Sequence, residues 1–145
     1  MTEIAEFITA RLDEAEAAIT ALPAEARGPW DASDNLIGGV QWVGLFGCDP
    51  STGSPVVDLG RIADREVARY MVRYGPAWAL ADIAAKRASL AEHASSEGDD
   101  PVCGRCVFHR TVSRCRPVPW PCHTVKFLAA PYREHPDFRP EWSVT

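Results

Sequence analysis

The sequence lacks any long apolar run: none approaches the ~20 residues that a helix needs to cross a bilayer. The first ten residues, MTEIAEFITA, carry acids where a secretory signal would carry bases. The composition is not that of a disordered chain, since 46% of the residues are hydrophobic and 24% are charged. A soluble, cytoplasmic protein that folds is expected, and 145 residues predict a single domain over 1–145.

Several catalytic motifs are also absent. The chain has no Walker loop, no G-x-G-x-x-G fingerprint and no G-x-S-x-G elbow. It has neither a His-Glu-x-x-His pair nor the His-x-Glu and Pro-Cys-x-x-Cys pattern of nucleobase deaminases. Nucleotide chemistry and acyl transfer therefore have no support from sequence motifs, which favours a binding protein over an enzyme.

Charge is unevenly distributed along the chain, whose formal net charge is -5. The N-terminal 34 residues are strongly acidic, whereas the region between Pro101 and Arg133 contains no acid at all. The basic residues of that second region are Arg105, Arg110, Arg114, Arg116, Lys126 and Arg133. A local excess of positive charge in an acidic protein predicts a region that can contact anions.

Apolar spacing in the first 60 residues predicts a helix followed by strands. Apolar residues recur at helical spacing up to Pro23, with Thr2 as a cap, and predict about five helical turns. From Gly28 the pattern changes to short apolar runs, interrupted by Gly38-Gly39 and by the turn segment CDPSTGS. These runs predict a small antiparallel hairpin or meander.

The helical period returns after Gly60 and breaks at Gly75-Pro76. A further helix is predicted from Pro76 toward His93, and the polar segment 95–101 then leads as a loop to the cysteines. The predicted fold class is therefore α+β: an N-terminal helix, a small antiparallel β-hairpin or meander, two central helices, a cysteine-containing loop and a short C-terminal helix.

The tryptophans are scattered along the chain, which suits anchors of a small core better than a stacking platform of neighbouring aromatics. They are Trp30, Trp42, Trp78, Trp120 and Trp142. Cys48 stands apart from the other cysteines and is expected to be a small buried or half-buried side chain and not a fifth ligand.

The cysteines of the C-terminal third carry the strongest functional pattern. In Cys103-Gly104-Arg105-Cys106, two cysteines separated by two residues can direct both sulfurs at one tetrahedral ion, and the glycine is expected to ease the turn. A structural zinc site needs about four protein ligands, and His93 and Cys122 are the preferred additions. The predicted Zn²⁺-binding subregion is therefore about 93–123, with a zinc-binding loop and a structural ion.

Other ligand sets remain open at this point. Cys115, His109 and His123 are alternative ligands, and a site made of four cysteines, with Cys115 replacing His93, is also compatible with the sequence. A catalytic zinc would leave one position to water and would need a nearby acid or base. The absence of carboxylates between Pro101 and Arg133 makes such a hydrolase the weaker hypothesis.

The basic residues beside the predicted zinc site suggest a second function, in which the loop contacts phosphate oxygens of a nucleic acid. The candidate residues are Arg105, Arg110, Arg114 and Arg116, with His109 between them. No helix with exposed polar residues follows the cysteines as it does in classical zinc fingers, so nucleic-acid binding is the alternative and not the main hypothesis.

Four segments of the sequence resemble a family of uncharacterised small proteins of actinobacteria and their phages. The segments are FITARLDEAE, the GPW of residues 28–30, RYGPAWALADIAAKRASLAEH and PCHTVKFLAAPYREHPDFRPEW. The most specific features are Ala85-Lys86-Arg87 in the long helix and the pattern P-Y-x-x-H-P-D-F over Pro131 to Phe138.

The resemblance implies ligands and a role. His93, Cys103 or Cys106, and Cys122 look like recurring features of the family, whereas Cys115 looks like an addition of this chain. The phage context implies a small accessory protein that acts by binding a protein partner of the host or the phage. The resulting hypothesis is a zinc-binding accessory protein in which the ion is a structural staple.

Overall fold

The computed structural model describes residues 3–37, 40–62, 64–111 and 114–144, and their side chains except at 35–42 and 107–115. Helices alternate with small antiparallel sheets, which confirms the predicted α+β class. The helices are α1 (Glu3–Thr20), α2 (Arg65–Arg73), α3 (Pro76–Glu92) and α4 (His123–Ala129). The strands are β1 (Trp30–Ile37), β2 (Val40–Cys48), β3 (Pro55–Ile62), β4 (Val102–Thr111) and β5 (Arg114–Pro119).

The chain divides into two compact units. Unit 1 comprises Met1–Glu14 and Ala84–Thr145, and unit 2 comprises Ala15–Ile83. Unit 1 includes the start of α1 and the end of α3, and unit 2 includes the end of α1 and the start of α3. The expectation of one domain over 1–145 stays a prediction.

Unit 2 contains the predicted meander, with strand order β1-β2-β3 and antiparallel pairing throughout. Val43 and Leu45 of β2 are buried, and so is Ala68 on the α2 face that contacts β1 and β2. Asp64 caps α2, because its carboxylate accepts hydrogen bonds from the backbone N–H groups of Glu66 (2.8 Å) and Val67 (3.0 Å).

Gly47 allows β2 to approach the chain that precedes the sheet. A Cβ atom at this position would lie 2.5 Å from the carbonyl oxygen of Glu25 and 2.7 Å from a methyl group of Val57. Cys48 then bonds back to the loop before β1, donating its N–H to the carbonyl of Pro29 at 2.8 Å. A side chain at 47 would separate these segments.

Unit 1 is built around the N-terminal turns of α1. The buried side chains of α1 are Ile4, Ala5, Phe7, Ile8 and Leu12. The Phe7 ring contacts Trp142 at 5.0 Å between centroids and Phe138 at 6.0 Å, and Trp142 is itself buried. Trp142 is therefore one of the core anchors that the sequence analysis expected of the tryptophans.

The resemblance motifs have identifiable packing roles in unit 1. Arg87 of the Ala85-Lys86-Arg87 segment forms an ion pair with Asp13 at 2.6 Å and so connects α3 to α1. His135 of the C-terminal pattern packs edge-on against Phe7 at 5.6 Å and is hydrogen-bonded to the guanidinium of Arg11. Both motifs therefore hold the N-terminal helix in place.

Two sequence expectations are corrected by the structure. The region after residue 101, predicted as a loop, contains the two-stranded antiparallel sheet β4-β5. Alternating apolar and polar residues along β4 would have indicated a strand. The cysteines and glycine within 103–106 interrupt that alternation. Trp78, predicted to be a core anchor, is 49% exposed, because its ring packs against that of Tyr74, at 5.0 Å between centroids, and Tyr74 is itself 40% exposed. The side chain of Trp42 lies outside the described residues.

Candidate metal centre

The end of α3 supplies the first candidate ligand. Helix α3 ends at Glu92, and the backbone N–H of His93 still bonds to the carbonyl of Ser89 at 3.2 Å. His93 therefore keeps the direction of the last helical turn, although it lies just beyond the helix. Its side chain is half-buried.

A short antiparallel pairing carries the chain from His93 to the paired cysteines. Ser96 donates its N–H to the carbonyl of Val102 at 2.9 Å, and Gly104 donates to the carbonyl of Ala94 at 2.9 Å. Ser95 and Cys103 form an isolated antiparallel bridge between these two bonds. The polar loop 97–101 is thereby closed, and Cys103 is placed next to His93.

The two cysteines of the C-x-x-C pattern lie on an irregular part of β4. Val102 pairs with Pro119 and Val107 pairs with Pro117, so residues 103–106 face a single residue of β5, Val118. The extra residues leave the regular pairing and turn both sulfurs to the same side. Cys103 is buried, whereas Cys106 is half-buried.

Cys122 approaches from the other side of the hairpin. Trp120 donates its N–H to the carbonyl of Pro101 at 2.8 Å, which holds the end of β5 beside the start of β4. Cys122 follows as the residue that precedes α4, with a buried side chain that makes no capping hydrogen bond. The thiol is therefore directed inward instead of satisfying the helix end.

These elements bring four side chains to one point. The ligand atoms of His93, Cys103, Cys106 and Cys122 all lie within 4.8 Å of one another. The Nδ1 atom of His93 lies 3.4 Å from the sulfur of Cys103, 3.4 Å from that of Cys106 and 3.5 Å from that of Cys122.

The spacing of these atoms fits a tetrahedral ion. Ideal zinc bonds of about 2.3 Å to sulfur and about 2.0 Å to nitrogen place the nitrogen about 3.5 Å from each sulfur. The observed separations of 3.4 to 3.5 Å agree with this edge length. One imidazole nitrogen cannot donate its single hydrogen to three sulfurs, so hydrogen bonding alone does not explain the arrangement.

Electrostatics also favour a cation at this point. Burial raises the pKa of Cys106, and hydrogen bonds and charge from Cys103 and Cys122 raise it further, to about 12. Burial also raises the pKa of Cys103, but hydrogen bonds from the backbone N–H groups of Arg105 and Cys106 outweigh this and lower it to about 7. Thiolates this close repel one another, and a divalent cation between them would stabilise all of them.

The other candidate ligands fall into two groups. His123 is exposed, packs edge-on against Phe127 at 6.4 Å, and does not belong to the described cluster. Cys48 is buried, as predicted, and is also not a member of the cluster. The side chains of His109 and Cys115 lie outside the described residues, so both residues stay alternative ligands.

Gly104 does not have the role that the sequence suggested. Positive φ angles among the described residues occur at Gly53, Gly60 and Gly98, and not at Gly104. A Cβ at Gly104 would meet the carbonyl of Ala94 at 3.5 Å, an ordinary contact. Neither the φ angle nor the space at residue 104 therefore requires a glycine to ease the turn, because the extra residues of β4 already provide the bend.

The basic residues around the cluster are only partly described. Arg105 is exposed and lies 3.7 Å from the carboxylate of Glu92, and Arg116 on β5 is exposed as well. The side chains of Arg110 and Arg114 lie outside the described residues. Nucleic-acid contact by these arginines therefore stays a prediction.

Sequence reasoning missed the residues that build the cluster without belonging to it. Ala94, Ser96 and Val102 make the backbone bonds that join the helix end to the cysteines. Ser96 also accepts a hydrogen bond through its hydroxyl from the N–H of Val102 at 2.9 Å. A serine pair directly after a helix reads as a polar loop, and no local pattern distinguishes this pairing from a simple turn.

Of three comparisons with known proteins, one supports part of the resemblance, namely that the chain belongs to a family of unknown function. Neither a search of curated proteins nor a search of solved structures finds a significant match. Among the described residues, no helix combines the length and the apolar character needed to cross a membrane. The actinobacterial and phage origin suggested by the resemblance stays a prediction. A family model described as "Family of unknown function (DUF6221)" matches residues 1–144, and the chain therefore belongs to this family.

Proposed function

We propose that this chain is a zinc-binding accessory protein in which one Zn²⁺ ion serves as a structural staple and that it acts by binding a protein partner. The observation that carries the proposal is the convergence of four ligand atoms within 4.8 Å of one another. The proposed ligands are His93, Cys103, Cys106 and Cys122.

The donor set supports zinc and a structural role. Three thiolates and one imidazole are typical ligands of structural zinc and suit it better than magnesium or calcium, which prefer oxygen. Four protein ligands complete a tetrahedron and leave no position for a catalytic water. The described cluster also contains no carboxylate to act as a general base. These features favour a staple over a hydrolase.

The positions of the ligands explain what a staple would accomplish. His93 follows α3, Cys103 and Cys106 belong to β4, and Cys122 precedes α4. One ion would therefore fix the ends of three elements that are joined by short irregular segments. In a region with few buried side chains, the binding free energy of the metal adds directly to the free energy of folding.

The partner-binding part of the proposal has separate support. The sequence lacks the catalytic motifs of nucleotide and acyl-transfer enzymes, and the resemblance to phage-associated proteins suggests a host or phage protein as the partner. Nucleic acid is the alternative partner, because the region between Pro101 and Arg133 carries only basic charges.

Metal content tests the site directly. Tag-free protein analysed by inductively coupled plasma mass spectrometry is expected to contain about one zinc per chain. Cys106→Ser and Cys122→Ser each remove a ligand, so both variants are expected to lose the zinc. Their thermal midpoints should decrease by about 10 °C or more, since the binding free energy of a structural zinc is lost.

Cys115→Ser is the matched control, because it removes a thiol of the same region without removing a proposed ligand. This variant is expected to keep both its zinc and its thermal midpoint. Loss of zinc from Cys115→Ser with retention in His93→Ala would instead establish the four-cysteine site. The proposal would be contradicted if the wild-type protein contained no metal. It would also be contradicted if every variant kept its metal.

A further inference from the structure

A row of exposed rings runs along α2 and the start of α3. Tyr70 is 66% exposed and Trp78 is 49% exposed, with Tyr74 between them. The ring centroids of Tyr70 and Tyr74 are 4.7 Å apart, and those of Tyr74 and Trp78 are 5.0 Å apart. Val67, one helical turn before Tyr70, is also exposed. We call the surface formed by Val67, Tyr70, Tyr74 and Trp78 the aromatic row.

The aromatic row is not needed to attach α2 to its own unit. Ala68, on the opposite face of the helix, is completely buried. The turn after α2 is covered by Trp30, whose ring would lie 3.3 Å from a Cβ at Gly75. Contiguous exposed apolar surface of this kind marks interaction sites more often than isolated exposed residues do.

Opposite charges flank the row on the same face of α2. Glu66 and Arg73 are seven residues apart, which corresponds to about two helical turns or about 10 Å along the axis. Arg73 has no carboxylate partner among the described residues, and its guanidinium lies 5.7 Å from the centre of the Tyr74 ring. Glu66 contacts Arg69 at 2.6 Å, but both side chains are well exposed and such pairs exchange at little cost.

We propose that the aromatic row binds a second copy of this chain, with the two α2 helices antiparallel about a two-fold axis at Tyr70. In this register Arg73 of each copy meets Glu66 of the other, because both lie at nearly equal distances from Tyr70. Val67 of each copy likewise meets Tyr74 of the other, and the two Tyr70 rings meet at the axis. One surface is thus complementary to itself, as an isologous dimer requires.

The local charge favours this occupant over a nucleic acid. Residues 64–82 contain Asp64, Glu66 and Asp82 against Arg65, Arg69 and Arg73, so the surface has no net charge to attract phosphate. Arg65 is engaged by Asp34 at 2.5 Å. A neutral aromatic surface with one acidic and one basic end matches its own two-fold copy.

Sedimentation equilibrium over a wide range of concentrations tests the dimer. The wild type is expected to rise from the monomer mass of 15.9 kDa toward twice that value. In the proposed dimer, residue 66 of each copy faces residue 73 of the other, so Glu66→Arg and Arg73→Glu each create two contacts between like charges. Each variant is therefore expected to weaken dimerisation by about tenfold. An equimolar mixture of these two variants restores both ion pairs and is expected to dimerise like the wild type.

Trp78→Ala is expected to weaken the dimer, whereas Phe127→Ala is the matched control. Phe127 is 60% exposed but does not belong to the row, so its loss should leave dimerisation unchanged. The proposal would be overturned if the wild type stayed monomeric. It would also be overturned if the mixture of the two charge variants dimerised no more strongly than either variant alone. Zinc content, measured in parallel, should be normal in every variant, so failure of the dimer leaves the metal site untouched.

Discussion

At the scale of single residues, the cysteines of this protein divide by environment. Cys48 lies at the end of β2, is 4% exposed and has no described metal-ligating neighbour. Cys103, Cys106 and Cys122 converge on His93 and share one point in space. A thiol among apolar side chains acts as a small hydrophobic group, whereas a cluster of thiols is a ligand set.

The protonation of Cys48 follows from its position and gives a prediction for its reactivity. Burial raises the pKa of this thiol, and the nearby carboxylate of Asp31 raises it further. At pH 8 we expect iodoacetamide to leave Cys48 unmodified in the folded protein and to modify it quickly in denaturant, with peptide mass spectrometry as the readout.

The same shift has a consequence for stability. The folded state holds the proton of Cys48 more tightly than the unfolded chain does, and this difference contributes to the free energy of unfolding. The contribution is complete at pH values below the pKa of this thiol in the unfolded chain. As the pH rises above the ordinary cysteine value of about 8.5, this contribution decreases. Rapid alkylation of Cys48 in the folded protein at pH 8 would contradict the burial described for this residue.

At the scale of elements, the C-terminal segment is held by contacts with α1. The Trp142 ring contacts the rings of Phe7 and Phe138, at 5.0 and 5.7 Å between centroids. Arg139 adds an ion pair to Glu3 at 2.5 Å and lies 5.6 Å from the centre of the Trp142 ring. The aromatic contacts are buried, so they contribute more than the exposed ion pair.

Trp142→Ala should therefore weaken the whole of unit 1. Removing a buried aromatic side chain and leaving a cavity costs about 3 kcal/mol of unfolding free energy. Urea unfolding followed by circular dichroism measures the loss, and Arg139→Ala is expected to cost well below about 1 kcal/mol. Equal losses in the two variants would contradict the division of roles between the ring and the ion pair.

At the scale of the whole molecule, the proposed staple acts on one of the two units. The candidate ligands all lie in unit 1, whereas the β1-β2-β3 sheet and α2 lie in unit 2. The core of unit 2 includes Val43, Leu45 and Ala68, none of which belongs to the candidate ligand cluster. Loss of the ion should therefore have regional consequences.

Chelation with 1,10-phenanthroline tests this regional effect. We expect amide hydrogen exchange to accelerate in residues 93–106 and 119–129, which the ion would connect, while residues 43–48 keep their protection. Exchange that accelerates equally in both units would show that the chain unfolds as a single cooperative domain. Unchanged exchange in residues 93–106 would contradict the staple.

The sequence by itself determined the helices and a small antiparallel sheet, and it indicated a preferred ligand set with Cys115, His109 and His123 as alternatives. Helical spacing of apolar residues in α1 and α3, and glycine or proline at their ends, are local features, and local features are sufficient for such elements. The C-x-x-C pattern and the nearby histidine and cysteine are likewise readable without coordinates. The cluster of His93, Cys103, Cys106 and Cys122 matches the preferred ligand set.

Only the tertiary structure decided which face of each element is buried and how distant segments meet. The β4-β5 pairing and the bonds from Ala94 and Ser96 depend on partners that local sequence does not specify. Trp78 is exposed, whereas Trp30, distant in sequence, lies against the turn after α2. The physical reason is that burial depends on which surfaces meet in space, whereas periodicity reports only on surfaces within one element.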